Sequence, residues 1–309
     1  MEYLQLPITK HNEMFYSRQN TNPHETLKFI RDGYVMLDVD DLTIIPNTVR
    51  EFLKTHDKFI LYHCDLVFLH EIDPRILHNM THLAYNSNNL HEYIHEFKSL
   101  KYLELSDINY YTLQNTQNLL NKLPIGLEAL LLVDWFDGDL SIEHLPITLK
   151  YLYIYRTVIS NKIFDMLPIN LEVLVIISDN FDQSLDNLPP NLKILKIQCK
   201  SFHQTLNNLP YSLEFLSVIA FSCHFPLKYT QLLTNLPPGL KYCVLDHNMY
   251  YANKDSILAA NPNCIISYNR DMVLISNVAK LFGVTVESEQ LHQKAKKNKP
   301  INSFCENNP

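Results

Sequence analysis

Glycine is nearly missing: 309 residues contain only 5. The chain therefore has no Gly-rich loop to cradle a nucleotide phosphate, and it has no G-x-S-x-G elbow to raise a serine nucleophile. Positive charge is scarce as well, and a formal net charge of −7 argues against a dedicated nucleic-acid surface. The six cysteines, Cys64, Cys199, Cys223, Cys243, Cys264 and Cys305, form no C-x-x-C pair, which removes the spacing of a zinc knuckle. Scattered cysteines in an asparagine-rich chain without a secretory leader pattern point to a reducing compartment. No stretch approaches the roughly 18 apolar residues of a spanning helix, and MEYLQLPITKHNEMFYSRQN lacks the apolar core of a signal peptide. These exclusions predict a soluble intracellular protein that needs no cofactor and no metal, and that engages neither nucleic acid nor membrane.

What the chain does contain is a repeat. Leu-Pro pairs occur at Leu123-Pro124, Leu145-Pro146, Leu167-Pro168, Leu188-Pro189, Leu209-Pro210 and Leu236-Pro237, at spacings of 22, 22, 21, 21 and 27 residues. Each is followed by L-x-x-L-x-Φ, where Φ is apolar: Leu127/Leu130/Leu132, Leu149/Leu152/Ile154, Leu171/Leu174/Ile176, Leu192/Leu195/Ile197, Leu213/Leu216/Val218 and Leu240/Cys243/Leu245. A unit this short cannot bury its own apolar side, so successive units must stack, each adding one strand to a continuous parallel sheet. The alternation at the end of the frame is that of a strand with one face in the core. Proline has no N–H for the ladder and marks the corner before the strand. The expected fold is α/β: a right-handed, leucine-rich-repeat-like solenoid with a parallel sheet on one face, short irregular, 3-10 or helical returns, and helical caps.

The residue after the first leucine of each frame reads Lys101, Glu128, Lys150, Glu172, Lys193, Glu214, Lys241, an unbroken alternation of sign. Equivalent positions of an in-register parallel sheet lie about 4.8 Å apart, so the alternation predicts a charge ladder and makes the frame at Leu100 the direct neighbour of the frame at Leu127. Exposed pairs of this kind are worth about 0.2–1 kcal/mol each, so they specify register more than they stabilise.

Three segments follow from this frame. Residues 1–40 carry no repeat and read as an N-terminal cap, with a short helix over Pro23–Arg31 (PHETLKFIR). The solenoid is assigned to 41–268 and is clearest over 116–245. Its early frames are degenerate, starting at Ile45-Pro46 with Val49 and Phe52, and the early strands are placed at Phe59–His63, Met80/Leu83/Tyr85 and Leu100/Leu103/Leu105. An insertion at Ser222–Leu227 should bulge from one rim, and Cys264–Tyr268 should close the sheet. Residues 269–309 hold a helix at Asp271–Phe282, which stops at Gly283, and a polar tail with Lys294, Lys296, Lys297 and Lys299.

The frame F-[DN]-x-x-Φ-x-x-L-P-x-x-L-x-x-L-x-Φ resembles the FNIP repeat, a leucine-rich-repeat-like family known chiefly from social amoebae and the giant DNA viruses that infect amoebae. The residues that carry the resemblance are Phe181-Asp182 with Leu185 and Leu188-Pro189, Phe202-His203 with Leu206 and Leu209-Pro210, and Tyr229 with Leu233 and Leu236-Pro237. Thr116, Gly138 and Ser160 stand where earlier repeats would have the Phe. The resemblance implies a protein-binding solenoid without catalytic residues, in host cytoplasm or a virion. Some relatives carry an N-terminal F-box; residues 1–40 show no copy, leaving a ubiquitin-pathway adaptor without an F-box, or a structural assembly protein, as alternatives.

The strand positions between the buried leucines face outward and are apolar in the middle repeats. Tyr151, Tyr153, Tyr155, Val173, Val175, Ile177 and Phe215 are the candidate partner-binding residues, for a host or viral protein or a second copy of the chain. The competing reading is that a terminal helix or a neighbouring subunit permanently covers this face. One enzymatic motif also occurs. His91-Glu92-Tyr93-Ile94-His95 matches H-E-x-x-H, which binds zinc when both histidines share one helix face. Lys98 and Lys101 occupy the places of the Gly and third His of the extended form, and the segment is short for an active-site helix. His56, His63, His70, His78 and His82 cluster in the same half and read most simply as solvated turn residues.

Overall fold

Each clear coil turns at its Leu-Pro pair, and the turn closes the same way every time. The amide of the leucine three residues beyond the proline donates to the proline carbonyl: Leu127 to Pro124, Leu149 to Pro146, Leu171 to Pro168 and Leu213 to Pro210 at 3.0 Å, Leu192 to Pro189 and Leu240 to Pro237 at 3.1 Å. Proline suits this place because the turn uses its carbonyl and makes no demand on the N–H it lacks. The computed structural model describes residues 27–31, 34–38, 51, 53–62, 66–85, 89–105, 113–133, 141–155, 166–179, 181–200, 202–220 and 232–268.

From each turn the chain enters a short strand. The strands are β1 (Leu27–Arg31), β2 (Tyr34–Asp38), β3 (Lys58–Tyr62), β4 (His82–Tyr85), β5 (Tyr102–Leu105), β6 (Ala129–Val133), β7 (Tyr151–Tyr155), β8 (Val173–Ile177), β9 (Ile194–Cys199), β10 (Phe215–Ala220), β11 (Tyr242–Leu245) and β12 (Ile265–Ser267). They form one sheet in chain order. From β2 to β11 every pairing is parallel, as one strand per coil requires. The second leucine of each frame lies beside its equivalent: Leu103, Leu130, Leu152, Leu174, Leu195, Leu216 and Cys243 form one unbroken column. All seven are buried and belong to a single core. The α/β solenoid read from the repeat is the fold that forms.

The returns supply the helices: α1 (Leu66–Ile72), α2 (Arg75–Asn79), α3 (Leu90–Tyr93), α4 (Leu113–Leu120) and α5 (His247–Ala260). Between α1 and α2 the Asp73 carboxylate accepts from the Arg75 amide at 3.0 Å and from its guanidinium at 2.7 to 3.2 Å. These bonds hold the acid down to about 2. Helix α5 starts where Asp246 accepts from the Asn248 amide, and its buried Asn253 accepts from the Leu233 amide at 2.6 Å while donating to the Met249 carbonyl at 2.9 Å.

Polar side chains also stitch coil to coil. In the four middle frames the residue before the first leucine reaches back to the preceding corner: the Thr148 hydroxyl lies 2.7 Å from the Ile125 and Leu127 carbonyls, Asn170 and Asn191 donate to the Ile147 and Ile169 carbonyls at 3.0 Å, and the Ser212 hydroxyl lies 2.7 Å from the Pro190 and Leu192 carbonyls. On the return side the Phe181 and Phe202 rings stack at 6.2 Å. Asp182 accepts from the His203 amide at 2.7 Å.

One expectation is overturned. The helix assigned to Pro23–Arg31 is replaced over its described part by strand β1, which pairs antiparallel with β2 through Phe29↔Met36, Ile30↔Val35 and Arg31↔Tyr34. The three-residue spacing of Leu27 and Ile30 fits a helix, but Asp32-Gly33 between two apolar runs is a hairpin signal, and strand pairing prevails over that weak local pattern. Val49, Phe52, His63, the 222–227 insertion, the 271–282 helix and the lysine tail lie outside the described residues. By its contacts the chain divides into His24–Ile266, which holds the solenoid, and Met1–Pro23 with Ser267–Pro309, of which 267 and 268 are described.

Core column and charged column should differ sharply in weight. Leu195→Ala should lower the unfolding free energy by about 2–5 kcal/mol through the cavity it opens, whereas Glu172→Gln should cost no more than about 1 kcal/mol. Denaturant titration of both variants measures this, and equal losses would contradict the packing described.

Candidate interaction faces

The outward face of the sheet is not uniform. On β7, β8 and β9 the apolar residues Tyr151, Tyr153, Tyr155, Val173, Val175 and Ile194, and the polar Lys196 and Gln198, are half-buried, alternating with buried neighbours. Outward positions on either side are closed: Tyr102, Glu104, Ala129 and Leu131 before the middle strands, and Phe215, Ser217, Ile219 and Val244 after them, are buried. Of the candidate partner-binding residues, Ile177 and Phe215 are thus buried, and the other five are half-exposed. Pairing sets Tyr153 beside Val175 and Tyr155 beside Ile177. The Tyr153 and Tyr155 rings lie nearly parallel with centroids 6.4 Å apart. The alternation that marks these positions as outward says nothing of what lies across them, so sequence reasoning could not separate the closed flanks from the middle.

A second, charged face runs beside the corner turns. The Lys101 carbonyl accepts from the Glu128 and Ala129 amides at 2.8 and 2.9 Å, and the same two-amide pattern repeats at Glu128, Lys150, Glu172, Lys193 and Glu214. Their side chains form ion pairs between coils: Glu128 with Lys101 at 3.2 Å and Lys150 at 2.9 Å, Glu172 with Lys193 at 2.6 Å, and Glu214 with Lys241 at 2.7 Å. Partial burial works against ionisation of Glu128, yet hydrogen bonds from Lys150 and Lys101 hold its carboxyl below the usual range. Glu128, Lys150, Glu172 and Lys193, with the Thr148, Asn170, Asn191 and Ser212 column, line one shallow groove of about 430 Å³.

The histidine-rich returns are arranged differently from the motif they spell. Helix α3 ends at Tyr93 and passes into a 3-10 turn over Ile94–Glu96, so His91 and His95 do not share one α-helix. His91 Nε2 is 3.9 Å from Glu92, while His95 Nε2 lies 3.1 Å from one Glu96 oxygen and His78 Nε2 lies 2.7 Å from the other. The His78 hydrogen bond pulls the Glu96 carboxyl below its ordinary range. Among the described residues no three His, Cys, Asp or Glu side chains converge as metal ligands. The His70 ring lies 5.9 Å from that of Tyr93, and His56 Nδ1 is 3.2 Å from the Thr55 hydroxyl. His82 is the exception to a solvated reading: its ring stacks on Tyr102 at 5.6 Å, and burial, helped by Lys58, pushes its pKa down to about 4.

No known protein family matches the sequence, and no curated protein matches it. Among solved structures, the crystal structure of CroV588, described as a novel circular LRR protein, is similar at 18% identity with a TM-score of 0.41, over 71% of this chain and 38% of that one. The chain therefore spans well under half of that protein's length. No helix among the described residues is long and apolar enough to cross a membrane.

His82 gives the unit an acid response. The unfolded imidazole takes up its proton near 6.5 and the folded one only at about 4, so its contribution is complete above 6.5 and is lost as pH falls towards 4. Unfolding midpoints measured between pH 7 and pH 4 should fall less steeply for His82→Phe than for the wild type; parallel curves would show that His82 titrates freely.

Proposed function

We propose that the solenoid is a non-catalytic protein-interaction module that holds a partner, or a second copy of itself, on the sheet face over β7–β9. The observation that carries this reading is the half-buried apolar row Tyr151, Tyr153, Tyr155, Val173 and Val175 on outward strand positions, which gives way to half-exposed Ile194, Lys196 and Gln198 on β9 and lies between closed outward positions on β6 and β10. Apolar surface of that kind on a repeat protein is used for contact, and tyrosines make good anchors because they bury large area at low entropic cost. The Leu-Pro frame and its Phe181 and Phe202 equivalents support kinship with FNIP repeats, and with it a setting inside an infected amoeba, in host cytoplasm or a virion.

The test uses a partner recovered by affinity purification from such a host and then rebound in purified form. Tyr153→Asp with Val175→Asp should weaken that binding at least about 100-fold, since two apolar anchors of about 1.4 kcal/mol or more each are lost, while the thermal unfolding midpoint stays within a few degrees. A double variant that precipitates or unfolds would mean that the row is permanently covered core, and the reading would fail.

A further inference from the structure

The corner turns hold an anomaly that the sheet-face reading leaves unused. In each turn the residue after the proline is the tip, and turn tips favour proline or small polar residues. Here the tips are Ile125, Ile147, Ile169, Pro190, Tyr211 and Pro238, one per coil. The four large ones are exposed at 88, 65, 53 and 81% for Ile125, Ile147, Ile169 and Tyr211, and both prolines are exposed too. Because the coils stack in register, the tips form one apolar stripe across six successive coils, about 24 Å long at about 4.8 Å per step. Three residues further along each coil, and running beside the stripe, is the charged column Glu128, Lys150, Glu172, Lys193, Glu214, Lys241.

We infer that this corner face is a self-association surface that takes a second copy of the chain, antiparallel, about a two-fold axis passing between the Ile169 and Pro190 coils. Two columns select this occupant independently. About that axis every tip meets another tip: Ile169 faces Pro190 of the second copy, Ile147 faces Tyr211, and Ile125 faces Pro238. The same rotation sets every ladder charge against its opposite: Glu172 faces Lys193, Lys150 faces Glu214, and Glu128 faces Lys241. An axis through a coil, instead of between two, would oppose like charges throughout. The alternating ladder therefore rejects half of the possible registers, as a self-complementary isologous contact requires. The ladder side chains still reach solvent despite their pairs within the chain: Lys150, Lys193 and Lys241 keep 43 to 61% of their surface exposed, and Glu128, Glu172 and Glu214 keep 25 to 33%.

Repeat length argues for the same occupant. A second copy presents contacts at the same step of about 4.8 Å, whereas same-face side chains of an extended peptide recur about every 6.8 Å and a helix advances about 5.4 Å per turn, so both fall out of step within a few coils. The face is small beside the roughly 800 Å² per partner of a standard interface, which makes the association weak and concentration-dependent.

The test is sedimentation velocity on the full chain from about 1 to about 200 µM, bracketing the weak range expected of a small interface. Wild type should shift from monomer towards dimer across that range. Ile147→Lys and Tyr211→Glu should each stay monomeric, at least about ten-fold weaker, with circular dichroism unchanged because both side chains are exposed. An equimolar mixture of the two variants should associate again, since position 147 of one copy then offers Lys to Glu at position 211 of the other while the remaining 147–211 contact stays apolar. Tyr153→Asp with Val175→Asp should leave this dimer intact, which separates it from the sheet-face reading. A wild type that stays monomeric, single variants that dimerise like wild type, or a mixture that does not associate would each overturn the assignment.

Discussion

The constraint on which everything else rests is the pair of hydrogen bonds that each coil receives from the next. One carbonyl at the mouth of each strand, from Lys101 to Glu214, accepts two successive amides of the following coil at 2.8 to 3.1 Å. That forked bond fixes translation and register together. Once it is made, leucines must lie on leucines, tips on tips and Lys on Glu, because no coil can slip by one residue without turning its apolar set to the wrong side. Core column, polar stitches and charged groove are all consequences of this one repeated contact.

Proline and leucine share the work of making that contact repeat. The proline carbonyl closes the corner onto the leucine amide, and the leucine side chain is buried directly below it. In the middle coils the preceding corner leaves carbonyls pointing at the last position of the next, and Thr148, Asn170, Asn191 and Ser212 satisfy them, whereas the outer corners carry Gly126 and Gly239 there. Thr, Asn and Ser share one role in those four corners.

This explains what could and could not be read from the chain. The L-x-x-L-x-Φ frame carried the architecture, because period-2 alternation and a fixed repeat length are local properties of the sequence. The hairpin at β1 and β2 escaped because a weak helical spacing outweighed the Asp32-Gly33 signal. Helix α5 escaped because its buried positions, Met249, Asn253 and Ile257, include an asparagine whose burial depends on Leu233. The same limit applies to the faces. Ile177 and Phe215 read as exposed from strand parity, yet both are buried, which no strand pattern records. The tips Ile125 and Tyr211 sat in plain view, but corners are expected to be soluble and unimportant, so their apolar character carried no signal until the coils were stacked.

The alternating ladder has one more consequence, for how such a gene can lengthen or shorten. Duplicating or deleting a single coil of 21 or 22 residues would bring two lysines or two glutamates into adjacent rungs, whereas copying two coils at once, 42 to 44 residues, preserves the order of signs. A pair of coils is accordingly the smallest unit that can be added or removed without placing like charges on adjacent rungs.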